Sequence, residues 1–127
     1  MGILSDARPV AFVGTANRAT APPFYRDTLG LKCTSEDQFA AVFDMSGTML
    51  RLSDIPNFKP GEHPVLGFDV DDVRAAVSAL RTKGVTFLIY EGFGQDDLGI
   101  WTAPDGKAQV AWFKDPDGNM LSVNRSA

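Results

Sequence analysis

Twice along this chain the same order of elements can be read: a short apolar strand, a helix ended by glycine, then three or four further strands. The first pass predicts a strand over 10–13, a helical segment ending at Leu29-Gly30, and strands over 31–35, 39–44 and 48–53. The second predicts a strand over 65–70, a helix from Val73 to about Lys83, and strands over 85–90, 100–103, 108–113 and 120–123. Val73, Val77 and Leu80 recur at helical spacing behind the N-cap pair Asp71-Asp72. Gly30 and Gly84 stand where a left-handed C-terminal residue closes each helix. The two passes share little sequence, so the repeat rests on element order and on these two glycines. Between them, residues 55–64 carry three prolines and a glycine and read as a linker.

This order predicts an α+β fold: one domain over residues 1–127, built of two βαβββ modules, about 8–54 and 65–124, joined by that linker. Two such modules can set their curved sheets face to face around a cleft, with the helices outside. A chain of 127 residues has the length of one domain and buries about two-thirds of its unfolded surface, so its core needs no staples. Alternation then assigns faces. Leu66, Phe68 and Val70 pack on the helix, leaving Val65, Gly67 and Asp69 on the cleft side. By the same logic Val10, Phe12, Gly14, Met49, Arg51 and Ser53 line it in the first half. The closing strand leaves the tight turn Asp115-Pro116-Asp117-Gly118-Asn119 with Leu121 and Val123 on one face and Met120, Ser122 and Asn124 on the other.

Charge and cysteine content remove several function classes. The net charge is −4 and the twelve Lys and Arg residues are scattered singly, so no basic face exists for a nucleic acid. Cys33, the only cysteine, excludes an intrachain disulfide and any thiolate cluster, and reads as a reduced strand thiol. No apolar run approaches the ~18–20 residues of a membrane helix, and the N-terminus lacks the pattern of a secretory signal. A cytoplasmic protein with no membrane partner is the expectation.

Three motifs now stand in order: Phe24-Tyr-Arg-Asp-Thr-Leu-Gly-Leu31, Gly67-Phe-Asp-Val-Asp-Asp-Val73 and Phe113-Lys-Asp-Pro-Asp-Gly-Asn119. Together they resemble the vicinal oxygen chelate superfamily, which contains glyoxalase I, extradiol dioxygenases, fosfomycin-resistance enzymes and bleomycin-resistance proteins. The resemblance covers residues 8–124. It implies a glyoxalase/bleomycin resistance-like fold, and it implies no single activity, because many functions share it. Metal-using members resemble one another in placing a His or carboxylate at the start of each module's first strand and a Glu on each closing strand. Carried over, those positions are Val10 (or Pro9 on a one-residue slip), Arg51, Val65 and Ser122. None is a strong donor and Arg51 repels a cation, so the resemblance implies no metal and no cofactor. His63, the sole histidine, lies two residues before Val65 and reads as a loop residue without carboxylate partners. Pro22 and Pro23 also forbid a continuous helix up to Phe24, so the first helix starts at one of them.

The remaining candidates point to ligand binding. Arg51 either holds a ligand carboxylate or phosphate, or pairs with a neighbour such as Asp69 or Glu91. Phe12, Tyr90, Phe93, Trp101 and Trp112 are candidate walls for a flat ligand, and Ser122 on the closing strand is a further candidate binding residue. The loop 91–99 is glycine-rich and acidic, and serves as a flap or as an ordinary hairpin connection; it lacks the ending of a phosphate loop. Three functions follow from different classes. The first is a metal-free protein that sequesters a small organic molecule, in the manner of the bleomycin-resistance branch. The second is a metal-dependent lyase, isomerase or dioxygenase of the glyoxalase I type. The third is a non-catalytic regulatory module. A homodimer is implied by the superfamily's habit of pairing modules across chains.

Overall fold

The computed structural model describes residues 2–126. Strands dominate, and the chain divides between Phe58 and Lys59 into two compact units, each with its own four-stranded sheet. The class is α+β. The division falls inside the proline-rich stretch 55–64.

In the first unit, β1 (Val10–Thr15) leads to α1 (Ala21–Pro23), β2 (Lys32–Glu36), β3 (Ala40–Met45) and β4 (Thr48–Asp54). The sheet order is β1-β4-β3-β2, with β1 parallel to β4 and the other pairs antiparallel. The helix begins at Ala21, one residue before the expected prolines, which fill its first turn where their missing N–H groups cost nothing. It passes directly into a π-helical turn over Phe24–Thr28, in which the Leu29 N–H donates to the Phe24 carbonyl at 3.0 Å. Gly30, at φ +78°, ends it, and Leu31 N–H donates back to the Tyr25 carbonyl. The buried side of the sheet presents Phe43, Leu50 and Leu52, all fully buried, with Tyr25 from the helical turn against Phe43 at 5.9 Å between ring centroids.

In the second unit, β5 (Pro64–Asp69) leads to α2 (Val73–Thr82), β6 (Trp101–Thr102), β7 (Gln109–Lys114) and β8 (Met120–Arg125). The order β5-β8-β7-β6 repeats that of the first sheet, again with one parallel pair, β5 on β8. Asp72 caps α2 by accepting from the Ala75 N–H at 3.0 Å. Val73 and Val77 of the helix are fully buried, as are Phe113 and Leu121 of the sheet. The closing turn is held by Asp115, whose Oδ1 accepts from the Asp117 and Asn119 N–H groups at 2.9 Å each.

One expected strand is not there. Residues 85–90 meet the sheet at a bridge, Phe87 to Phe113, with a backbone bond from Leu88 N–H to the Trp112 carbonyl. Beyond that point Gln95 does the work of a neighbouring strand. Its Nε2 donates to the Leu88 carbonyl at 2.8 Å and its Oε1 accepts from the Tyr90 N–H at 2.7 Å. The segment reads as a strand in sequence, but a side chain satisfies part of its backbone. The expected strand over 100–103 shrinks likewise to Trp101–Thr102.

Candidate functional site

The open face of the second sheet carries the richest group of side chains. The pairing Gly67 with Ser122 and Ser122 with Trp112 makes one row across β5, β8 and β7. The next row runs Asp69, Asn124, Val110 and Trp101. Paired residues lie on the same side, so all of these point away from the buried Leu121, Phe113 and Val123. Tyr90 and Phe93 join them from the loop after the Phe87 bridge. Tyr90 meets Trp112 at 5.9 Å, Phe93 meets Trp112 at 5.6 Å, and Phe93 meets Trp101 at 6.2 Å between ring centroids. These tilted and edge-to-face contacts are the favourable ones for aromatic quadrupoles. Tyr90, Trp101 and Trp112, three of the expected ligand-binding positions, therefore form one cluster, and Ser122 stands directly beside Trp112.

Exposure differs sharply within the group. Tyr90 keeps 41% and Phe93 49% of their surface, whereas Ser122 keeps 7%. The rings form a rim and the hydroxyl lies at the floor. Tyr90 Oη donates to Met120 Sδ at 4.0 Å, which ties the rim to β8. The acidic loop 91–99 is fastened at its base: Gln95 Nε2 also donates to the Gly99 carbonyl at 2.8 Å, and Asp96 Oδ1 accepts from the Leu98 and Ile100 N–H groups at 2.9 Å. Gln95 is the residue that sequence reasoning missed. A lone glutamine in a glycine-rich loop is the available signal, since glycines leave backbone groups that a long amide can reach.

Ser122 is itself hydrogen-bonded within the face. Its Oγ lies 3.0 Å from Asn124 Oδ1, and Asn124 Nδ2 donates to Asp69 Oδ1 at 3.1 Å. Gly67 leaves room for this arrangement. A Cβ at that position would stand 2.8 Å from Ser122 Oγ and 2.9 Å from Asn124 Oδ1.

The other two predicted site residues belong to the first sheet. Phe12 and Arg51 are cross-strand partners on its open face, with Val42 next in the same row. Phe12 is 68% exposed. Arg51 is half-buried and forms no ion pair among the described residues, and the Asp69 carboxylate accepts from Asn124 and Ser126. The positive charge of Arg51 acts instead on Asp37. That carboxyl is held below the usual carboxylate range chiefly by the Phe39 and Ala40 N–H groups, with Arg51 and Arg18 adding smaller electrostatic contributions.

The positions carried over as metal ligands fit the group poorly. Val10 and Val65 offer no donor, Arg51 is a cation, and the one hydroxyl, Ser122, is neutral and committed to Asn124. His63 is exposed in the loop before β5, and among the described residues no three His, Cys, Asp or Glu side chains converge. Two hollows lie elsewhere, one of about 240 Å³ beside Val10 and Met49, one of about 460 Å³ beside Arg81 and Ile89. Neither contains the clustered rings. Also among the described residues, no helix is long and apolar enough to cross a membrane.

Comparison with known proteins agrees with this architecture. No curated protein matches the sequence. A lactoylglutathione lyase from Agrobacterium tumefaciens is 19% identical with a TM-score of 0.70, over 94% of this chain and 93% of that one. An integron cassette protein from the mobile metagenome of V. cholerae is 25% identical with a TM-score of 0.65, over 94% of each chain. A glyoxalase/bleomycin resistance protein/dioxygenase from Nocardioides is 18% identical with a TM-score of 0.70, over 94% of this chain and 85% of that one. The family model for the glyoxalase/bleomycin resistance protein/dioxygenase superfamily matches residues 9–123, and with two βαβββ-like halves on the page the chain belongs to that superfamily.

Proposed function

We propose that this chain is a metal-free binding protein that sequesters a small, flat organic ligand against the aromatic face of its second sheet. The observation that carries the reading is the cluster of Tyr90, Phe93, Trp101 and Trp112, rings in mutual contact that stay partly open to solvent. Aromatic side chains normally disappear into a core. Held at a surface by a sheet and a fastened loop, they offer a preorganised stacking wall, and a rigid wall loses little entropy when a ligand lands on it. The poverty of the carried-over donor set supports the absence of a metal. Binding then needs no bond to break.

A glyoxalase-type lyase is the rival reading, favoured by the likeness in fold to the Agrobacterium lactoylglutathione lyase. It requires metal donors other than the carried-over positions. Mass-spectrometric metal analysis of protein purified without chelators separates the two. The expected result is far less than one divalent ion per chain, with a panel of flat aromatic compounds raising Tm. One bound ion per chain overturns the metal-free reading, and a panel without effect leaves the regulatory-module reading in its place.

Arg51 enters as a proposed anion-holding group on the first sheet, with Phe12 beside it as a proposed ring wall. Replacing Arg51 by Ala is expected to lower affinity for carboxylate-bearing ligands, and unchanged affinity removes Arg51 from the site. A cytoplasmic homodimer completes the proposal. The free Cys33 and the exposed Val10, Phe12 and Met49 support it, and light scattering of the purified chain tests the dimer.

A further inference from the structure

The hydrogen bonds across the open face of the second sheet have a fixed direction. Asp69 sets it. A carboxylate only accepts, so the Asn124 atom 3.1 Å from Asp69 Oδ1 has to be the amide nitrogen. The amide oxygen is thereby turned toward Ser122, and an amide oxygen also only accepts. The Ser122 hydroxyl 3.0 Å away must donate to it. Ser126 fastens the far end, with its N–H at 3.1 Å and its Oγ at 3.0 Å from the same Asp69 oxygen.

A hydroxyl has one proton and two lone pairs. At Ser122 the proton is spent on Asn124, so toward a ligand the group acts as an acceptor. Its surroundings make that polarity count. Ser122 is 7% exposed, at the floor of the face, where water competes poorly for the bond. It lies directly opposite Trp112 across β7 and β8, on the same face of the sheet. Gly67, the next position in that row, has no side chain to crowd the Ser122 hydroxyl.

Resting on the reading of this face as a ligand site, we propose that it selects flat aromatic ligands whose edge carries an N–H donor. Ser122 accepts that hydrogen bond, and Asp69 and Asn124 are positioning residues that fix its polarity. A ligand presenting a carbonyl or ether oxygen at the same edge meets lone pair against lone pair.

Indole and benzofuran form the matched probe pair, alike in shape and differing in N–H against O. Titration into the full ¹⁵N-labelled chain, followed at the indole N–H signals of Trp101 and Trp112, is expected to show indole binding roughly three- to tenfold more tightly. In Ser122→Ala that ratio falls to about one, because the acceptor is gone. In Asp69→Ala no acceptor fixes the Asn124 amide, so it can turn over, Ser122 regains its proton for the ligand, and the ratio again approaches one. A role in mere stability would weaken both probes alike and leave the ratio in place. Equal affinities in the native chain, with both probes shifting Trp112, overturn the polarity proposal and leave the face standing as a ligand site. No shift at either tryptophan with millimolar probe overturns both. A ratio that survives Asp69→Ala overturns the positioning role of Asp69.

Discussion

The two halves of this molecule bury their sheets in the same way and use their open faces differently. On the inner side, Phe43 faces Leu50 across β3 and β4, and Phe113 faces Leu121 across β7 and β8. All four are fully buried, and each phenylalanine meets a second ring, Tyr25 at 5.9 Å or Phe87 at 5.3 Å. On the open side, the first sheet offers one exposed ring, Phe12, beside a charge, Arg51. The second offers four rings in contact above a polar floor. Core positions in a repeat are held by packing, which penalises any change of volume. Open positions carry no such constraint, and there the two copies have gone separate ways.

The largest test of that likeness is to empty the inner faces. Phe43→Ala and Phe113→Ala should each cost about 3–5 kcal/mol in denaturant melts, because both delete a fully buried ring. A loss several-fold smaller in one half would break the equivalence of the two cores. The contrast between open faces is sharpened by Trp112→Ala and Phe12→Ala. Indole affinity should fall roughly tenfold in the first, which loses the central ring of the cluster, and by less than about twofold in the second. Equal losses would erase the distinction.

The helices differ as well, and a smaller effect measures it. Asp72→Ala removes the side chain that accepts from Ala75 N–H and should lower stability by about 1 kcal/mol. Thr20, the corresponding N-cap of α1, makes no side-chain capping bond, so Thr20→Ala should stay within about 0.5 kcal/mol. The smallest effect belongs to Asp37. Its folded-state pKa lies below the ordinary value because it accepts from Phe39 and Ala40 N–H. Its contribution is therefore complete above the unfolded value of about 3.9 and is lost as the pH falls through the lowered folded one. Asp37→Asn should flatten the acid side of the stability profile in urea melts between about pH 5 and pH 3, and leave it unchanged if those two bonds add nothing to folding.

Much of this was legible in the chain. Pro22 and Pro23 announced a broken first helix, and the helix they open turns into a π turn within three residues. Gly30 and Gly84 both adopt the left-handed conformation expected of helix-ending glycines, at φ +78° and +94°. The aromatic candidates were legible as a set, but not as neighbours. Tyr90, Trp101 and Trp112 gather around Phe93 in the second unit, which their spacing along the chain does not reveal. The segment 85–90 misled because its β-branched and aromatic residues are those of a strand, and nothing local reveals that Gln95 replaces the missing partner.

The division between the two kinds of information follows range. Turns, caps and the inward side of each strand depend on a few adjacent residues, through backbone sterics and the alternation of side chains, so the sequence by itself determined them. The polarity of Ser122 depends on Asp69, 53 residues earlier in number but adjacent once β5 lies parallel to β8, and on Asn124 between them. Whether a hydroxyl gives or takes a proton is a property of its neighbours rather than of serine. Only the tertiary structure supplies those neighbours.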